Sequence, residues 1–312
     1  ASDFPSGGRN IVFLGDSFVF GYNVRVHEAL PARLEAILGE RLQGDDVRVA
    51  NFGWISASPF VENHKFGRIA HRYHPKLVLL GLDMTDFHDD IKYELMYWRQ
   101  GIYRFYDVFP MTLSVARDYA PDLFWRVHSW SLGGRLPRQK YFACEQPLDR
   151  TRALLDVTLA NLETIDRSAK LLGAKFVLVV LPRAFQYDPR ESPDNWEKDQ
   201  YTPMGLYSRE PFRYFAEAAD RVDFPIYSLL PAFEHLQCGQ RERRRGVAAH
   251  GLEHHRRRVH AEFAQLVQHQ EAVLFVAHDQ RRCNVDLGRG QALQPLHGQL
   301  EQALVARQHQ EL

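Results

Sequence analysis

Apolar residues along the chain follow two rhythms. Short unbroken runs, N-I-V-F-L at 10–14, V-R-V-A-N at 47–51, L-V-L-L-G-L at 77–82 and K-F-V-L-V-V-L at 175–181, end at glycine, proline or polar residues and read as buried strands. Between them the spacing widens to three and four. Leu30, Leu34, Ile37 and Leu38 mark a helix over 30–42, a second pattern covers 59–73, and a long one runs over 154–172 to Gly173, a residue suited to a helix C-terminus. Strands alternating with helices predict an α/β fold whose strands run parallel, because each crossover helix returns the chain to the same end of the sheet.

Two stretches depart from that alternation. Residues 93–142, within an insertion spanning 93–145, are dense in aromatics and include Trp98, Trp125 and Trp130. They are expected to form a helical insertion over the carboxyl edge of the sheet, either burying a small core of its own or lining an acyl or sugar pocket. The second departure begins near residue 235. From there to 312 the chain has no lysine, tyrosine or tryptophan, and it holds nine of the fifteen histidines and twelve of the eighteen glutamines. Residues 1–234 are therefore expected to be the α/β domain. Residues 235–312 form an atypical Arg/His/Gln-rich segment with two readings, a polar helical and partly disordered tail, or translation out of the native frame, which a GC-rich gene renders as this composition.

Composition then narrows the chemistry. Lysine plus arginine equals aspartate plus glutamate at 39 each, so no global charge points to nucleic acid or a polyanion. No apolar run is long enough to cross a membrane. Cys144, Cys238 and Cys283 are too scattered for a zinc site or a disulfide framework, although one disulfide stays open. No glycine-rich phosphate loop follows any strand, so no nucleotide is expected and no cofactor is called for. Asp83, Asp86, His88, Asp89 and Asp90 cluster after the third strand, and the expectation for them is a solvated cleft rim rather than a cation site. The chain starts at Ala1, which fits either a removed leader or a trimmed start and leaves the compartment open.

The strongest local signal is Gly15-Asp16-Ser17-Phe18-Val19-Phe20-Gly21, at the end of the first strand. A serine at the carboxyl end of a parallel strand projects its hydroxyl where open α/β sheets bind ligands. Asp16 and Ser17 also suit a plain helix cap. The block resembles the first sequence block of the SGNH (GDSL-type) hydrolases, and two more come after it in order. Asn51-Phe52-Gly53-Trp54 places a glycine after the second strand, and Gly81-Leu82-Asp83-Met84-Thr85-Asp86 follows the third, with Thr85 at the position of the family's asparagine. The resemblance covers residues 10 to about 90, and the later strands agree through about 228. It implies a three-layer α/β/α protein with a flavodoxin-like sheet that cleaves a small-molecule or carbohydrate O-acyl ester. Ser17 would be the nucleophile, the Ser17 and Gly53 N–H groups with Thr85 would form the oxyanion hole, and Asp16 and Asp86 would support them.

The family's fourth block, Asp-x-x-His near the C-terminus, does not occur after Ser228. The nearest substitutes for its histidine are His250, His254 and His255, of which His250 is taken as the candidate base; a metal held by His250 and His254 lacks a third ligand. The codons of 252–257, read one nucleotide later, permit Trp-Asn-Thr-Thr-Gly, which resembles the stretch just after the family's histidine. Two function classes remain, a serine ester hydrolase (or an O-acyltransferase to a carbohydrate) and an SGNH-like binding module without turnover.

Overall fold

The computed structural model describes residues 4–234 apart from 43–45, 106–107, 133, 189, 191–194 and 196. His250, His254, His255, Cys238, Cys283 and the whole segment 235–312 lie outside the described residues.

Five strands, β1 (Arg9–Gly15), β2 (Val47–Asn51), β3 (Leu77–Leu82), β4 (Lys175–Val180) and β5 (Ile226–Ser228), form one sheet in the order β2-β1-β3-β4-β5, with every neighbouring pair parallel. The centre of the sheet is covered on both faces. β3 is buried at all six positions and β4 at all but Lys175, which is why these strands read as continuous apolar runs rather than alternating ones. Their boundaries match the sequence expectation to within a residue. β5 is shorter and only half-buried, and with three residues its pattern is too brief to recognise.

Connection geometry follows from the strand order. After Ser17–Phe20 (α1), Leu30–Arg41 (α2) carries the chain outward to β2, and Pro59–Ile69 (α3) carries it back past β1 to β3. Right-handed crossovers in opposite directions put α2 and α3 on opposite faces of the sheet, giving three layers. The expected helix over 59–73 keeps its α-helical hydrogen bonds only to Ile69 and finishes as a 3-10 turn, Ala70–Tyr73, with His74 left-handed at φ 45°.

Between β3 and β4 the chain forms Asp86–Tyr97 (α4), a 3-10 segment Gly101–Phe105, Pro110–Tyr119 (α5), Pro121–Ser131 (α6), Phe142–Glu145 (α7) and Leu148–Leu171 (α8). The insertion is helical, as its sequence predicts. Its own core holds Tyr103, Phe124, His128 and Leu132. α8 starts six residues before the sequence pattern suggested, because Leu148 and Thr151 already belong to the buried stripe that continues through Leu155, Leu159, Leu162, Ile165 and Ala169. That stripe seals one face of the sheet, and each fully buried leucine or isoleucine in it stabilises the fold by about 1.5–3 kcal/mol. After Ala184–Tyr187 (α9), Glu210–Ala218 (α10) packs against α8 and leads to β5.

In the 2-1-3-4-5 order the chain changes direction between β1 and β3, so the crevice at their carboxyl ends is where such a sheet takes ligands. Ser17 follows β1 at that edge, and the loop that begins with Asp83 follows β3 beside it.

Candidate active site

Backbone geometry at the end of β1 sets the serine. Gly15 has φ +152°, and a Cβ there would lie 2.4 Å from Val19 Cγ2 and 2.9 Å from the Gly81 carbonyl oxygen, so no side chain fits where the strand turns into α1. Asp16 caps α1, accepting from the Phe18 N–H at 2.8 Å. Ser17, the first residue of α1, is half-buried, and its hydroxyl donates to Asp16 Oδ2 at 3.3 Å. No imidazole among the described residues hydrogen-bonds to it.

Gly53 is brought to the same place. The β1–β2 ladder runs on past the strands, with the Phe52 N–H donating to the Phe13 carbonyl and the Trp54 N–H to the Gly15 carbonyl, each at 2.9 Å. Between them Gly53 presses on α1 so closely that a Cβ would stand 2.2 Å from the Phe20 nitrogen. Its own N–H donates to Asn51 Oδ1 at 2.9 Å, while Asn51 Nδ2 donates to the Phe20 carbonyl at 3.3 Å. Asn51 thus occupies the Gly53 donor. Trp54 stands beside this loop, 63% exposed.

Thr85 departs from the expected role. Its hydroxyl donates to Asp83 Oδ2 at 2.6 Å, its N–H reaches the same oxygen at 3.1 Å, and the residue is buried. A threonine hydroxyl has one proton, and here that proton serves Asp83 rather than the crevice. The Thr85 side chain folds back on its own loop.

The acidic cluster also differs from expectation. Asp83, Asp86, Asp89 and Asp90 are all buried instead of forming a solvated rim. Each has compensating partners, since carboxylates out of water need opposite charge, hydrogen bonds or protons. Arg183, directly after Leu181 and Pro182 at the end of β4, donates from Nε and Nη2 to both oxygens of Asp83, and its Nη1 lies 3.4 Å from Glu197 Oε2. Asp90 accepts from the Phe60 N–H at 2.7 Å, and Asp89 pairs with Lys92 at 2.5 Å. Asp86 Oδ2 accepts from the Asp83 N–H at 2.9 Å.

Electrostatics divide these acids. Burial pushes the Asp83 carboxyl up, but the Arg183 charge and the hydrogen bonds from Arg183 and Thr85 outweigh it and bring the pKa down to about 2. Burial, with the Asp83 charge adding to it, raises Asp16 to about 7 despite Arg183 and the Phe18 N–H. Burial and the Asp16 and Asp83 charges also raise Asp86 well above the usual carboxylate range. Glu62 of α3 is buried too, and burial lifts it to about 8 despite the Lys65 charge and the Gly15 backbone beside it. One oxygen from each of Asp16, Asp83 and Asp86 lies within 4.8 Å of the others, a spacing that a cation would fit. Asp83 already has its countercharge in Arg183, and the raised carboxyls of Asp16 and Asp86 hold protons more tightly than ordinary carboxyls do.

Arg183 is the participant that the sequence did not single out. Its guanidinium lies 4.8 Å from the Phe18 ring centroid and 5.6 Å from that of Tyr141, so one side chain links the ends of β1, β3 and β4. The signal was positional. Arg183 follows the proline that closes a central strand, at the same edge as Ser17. Cys144, in α7, is a free buried thiol that accepts from Gln186 Nε2 at 3.6 Å.

No family model matches the chain, and no curated protein does. Among solved structures, Est24, a carbohydrate acetylesterase from Sinorhizobium meliloti, is 10% identical with a TM-score of 0.44, over 84% of this chain and 100% of that one. TesA is 14% identical with a TM-score of 0.40, over 81% and 94%. BT4096, a gut microbial diltiazem-metabolizing enzyme, is 14% identical with a TM-score of 0.42, and its match takes in 76% of this chain but only 40% of its own. With TM-scores below 0.5 these likenesses assign no chemistry. What the chain itself carries is a parallel five-stranded sheet in flavodoxin-like order with a Gly-Asp-Ser block at the crevice, and in both it resembles the SGNH hydrolases.

Proposed function

We propose that the chain is a serine ester hydrolase of SGNH (GDSL) type that cleaves an O-acyl ester through an acyl-enzyme on Ser17. The observation that carries this reading is the half-buried Ser17 hydroxyl at the carboxyl end of β1, with the Gly53 backbone pressed against the same short helix. In this reading the Ser17 oxygen attacks the ester carbonyl and its proton passes to a base. The carbonyl oxygen takes up the negative charge, and the N–H groups of Ser17 and Gly53 hold it, with Asn51 yielding the Gly53 donor. Collapse expels the alcohol with a proton, and water then releases the acid from Ser17. His250 is the proposed base. Asp16 caps and steadies the serine turn, while Thr85 and Asp86 hold the β3 loop rather than touching substrate.

Trp54, exposed beside Gly53, suits a sugar face or an acyl chain at the mouth of the crevice. A carbohydrate ester is thus a substrate class in keeping with the site, and transfer of the acyl group to a sugar hydroxyl is the close variant. A second reading is a binding module that uses the crevice without turnover. It is favoured by one observation, that no imidazole among the described residues hydrogen-bonds to Ser17. Hydrolysis of p-nitrophenyl acetate separates the two readings. The hydrolase reading expects turnover by the wild type and none by Ser17→Ala, whereas equal rates for both proteins would overturn it.

A further inference from the structure

Lys65 of α3 is half-buried, and its ammonium group is turned onto the loop after β2, where Nζ donates to the Phe52 carbonyl oxygen. The same nitrogen stands 5.3 Å from the Phe52 ring centroid and 5.8 Å from that of Trp54, so one cation faces the residues on both sides of Gly53. Glu62, three residues earlier on α3, is buried beside the Gly15 backbone, and its charge and that of Lys65 bear on each other. One helix thus sends a side chain to each of the turns that frame Ser17, Glu62 to the turn after β1 and Lys65 to the turn after β2.

The Phe52 carbonyl and the Gly53 N–H belong to a single peptide group. That group is planar and trans, so its C=O and N–H point in opposite directions, and a donor that fixes one fixes the other. With the carbonyl held by α3, the Gly53 N–H is aimed away from α3, where Asn51 Oδ1 accepts it at 2.9 Å. The amides on either side are set by the sheet, since the Phe52 N–H donates to the Phe13 carbonyl and the Trp54 N–H to the Gly15 carbonyl. The peptide between them takes its anchor from Lys65 instead, and a glycine on its nitrogen side leaves it free to rotate without one. A cation at the carbonyl oxygen also draws electron density from the amide nitrogen, which makes the N–H a stronger donor.

We propose that Lys65 is a positioning residue for the oxyanion hole, holding the Phe52–Gly53 peptide so that the Gly53 N–H faces the reacting carbonyl. The role rests on the reading of Ser17 as nucleophile and Gly53 as oxyanion donor. Steady-state hydrolysis of p-nitrophenyl acetate by the full chain tests it in wild type, Lys65→Met, Lys65→Arg and Ser17→Ala, with rates expressed per chain that a fluorophosphonate labels to completion. Lys65→Met should lower kcat about tenfold and leave KM within about twofold, because the oxyanion forms only in the transition state. The loss is smaller than the about 10²–10³-fold of a deleted donor, since the N–H remains but is no longer directed. Lys65→Gln, which also removes the charge, should show the same loss and serves if the Met variant does not fold. Lys65→Arg keeps a cationic donor and should stay within about threefold of wild type. An unchanged kcat in the neutral variants, beside a wild type that turns over and a Ser17→Ala that does not, would overturn this role and leave the nucleophile standing. A raised KM at constant kcat would make Lys65 a substrate contact and overturn it too, as would an equal loss in Lys65→Arg. Equal rates for wild type and Ser17→Ala would remove the Ser17 reading and this role with it.

Discussion

Thr85 donates its hydroxyl proton to Asp83 at 2.6 Å, so this side chain binds its own loop and not the crevice. Thr85→Val should therefore leave the rate of fluorophosphonate labelling at Ser17 within about threefold of wild type, while lowering stability by about 1 kcal/mol through the lost buried hydrogen bond. Loss of an oxyanion donor has a different size, about 10²–10³-fold in rate. Labelling kinetics beside a urea melt separate the two, and a hundredfold slower adduct would return Thr85 to the oxyanion hole.

The Asp83–Arg183 pair supports a second expectation. Removing the guanidinium with Arg183→Met leaves Asp83 buried and unpaired by its cation, which should cost about 3–5 kcal/mol. Asp83→Asn in the same chain should restore most of it, because the stranded charge is then gone. Denaturant midpoints of the single and double variants measure this. A double variant no more stable than Arg183→Met would mean that the arginine acts by packing on Phe18 and Tyr141 instead.

Glu62 makes stability depend on pH with a definite sign. Its folded pKa, about 8, lies above the ordinary 4.5, so the folded chain binds this proton more tightly than the unfolded one. The contribution is fully present below about pH 4.5 and is lost as pH rises through about 8. Asp16, raised to about 7, adds a loss in the same direction. Glu62→Gln should have little effect near pH 5 and should stabilise by on the order of 3 kcal/mol at pH 9, relative to wild type. Thermal melts of both proteins from pH 5 to pH 9 decide it; parallel curves would show that Glu62 does not carry the dependence.

Much of this architecture could be read from the residues alone, for identifiable reasons. The four long strands were legible because a parallel sheet buries both faces, which turns β3 and β4 into unbroken apolar runs. Gly15 and Gly53 were legible as turn glycines, and each proves to have no room for a Cβ. The buried acids were not. Asp83 and Asp90 read as a wet loop because their partners, Arg183 and the Phe60 N–H, come from elements distant in sequence. The Thr85 hydrogen bond was hidden for a related reason, since a hydroxyl's direction depends on its neighbour's charge and not on its place in a motif. Length alone concealed β5.

The central claim is that the Ser17 oxygen is a reactive nucleophile, and intact-mass analysis after exposure to a fluorophosphonate probe tests it most directly. The account expects one adduct per chain, mapped by peptide sequencing to Ser17 and absent from Ser17→Ala. An unlabelled wild type, or an adduct that persists in Ser17→Ala, would contradict it.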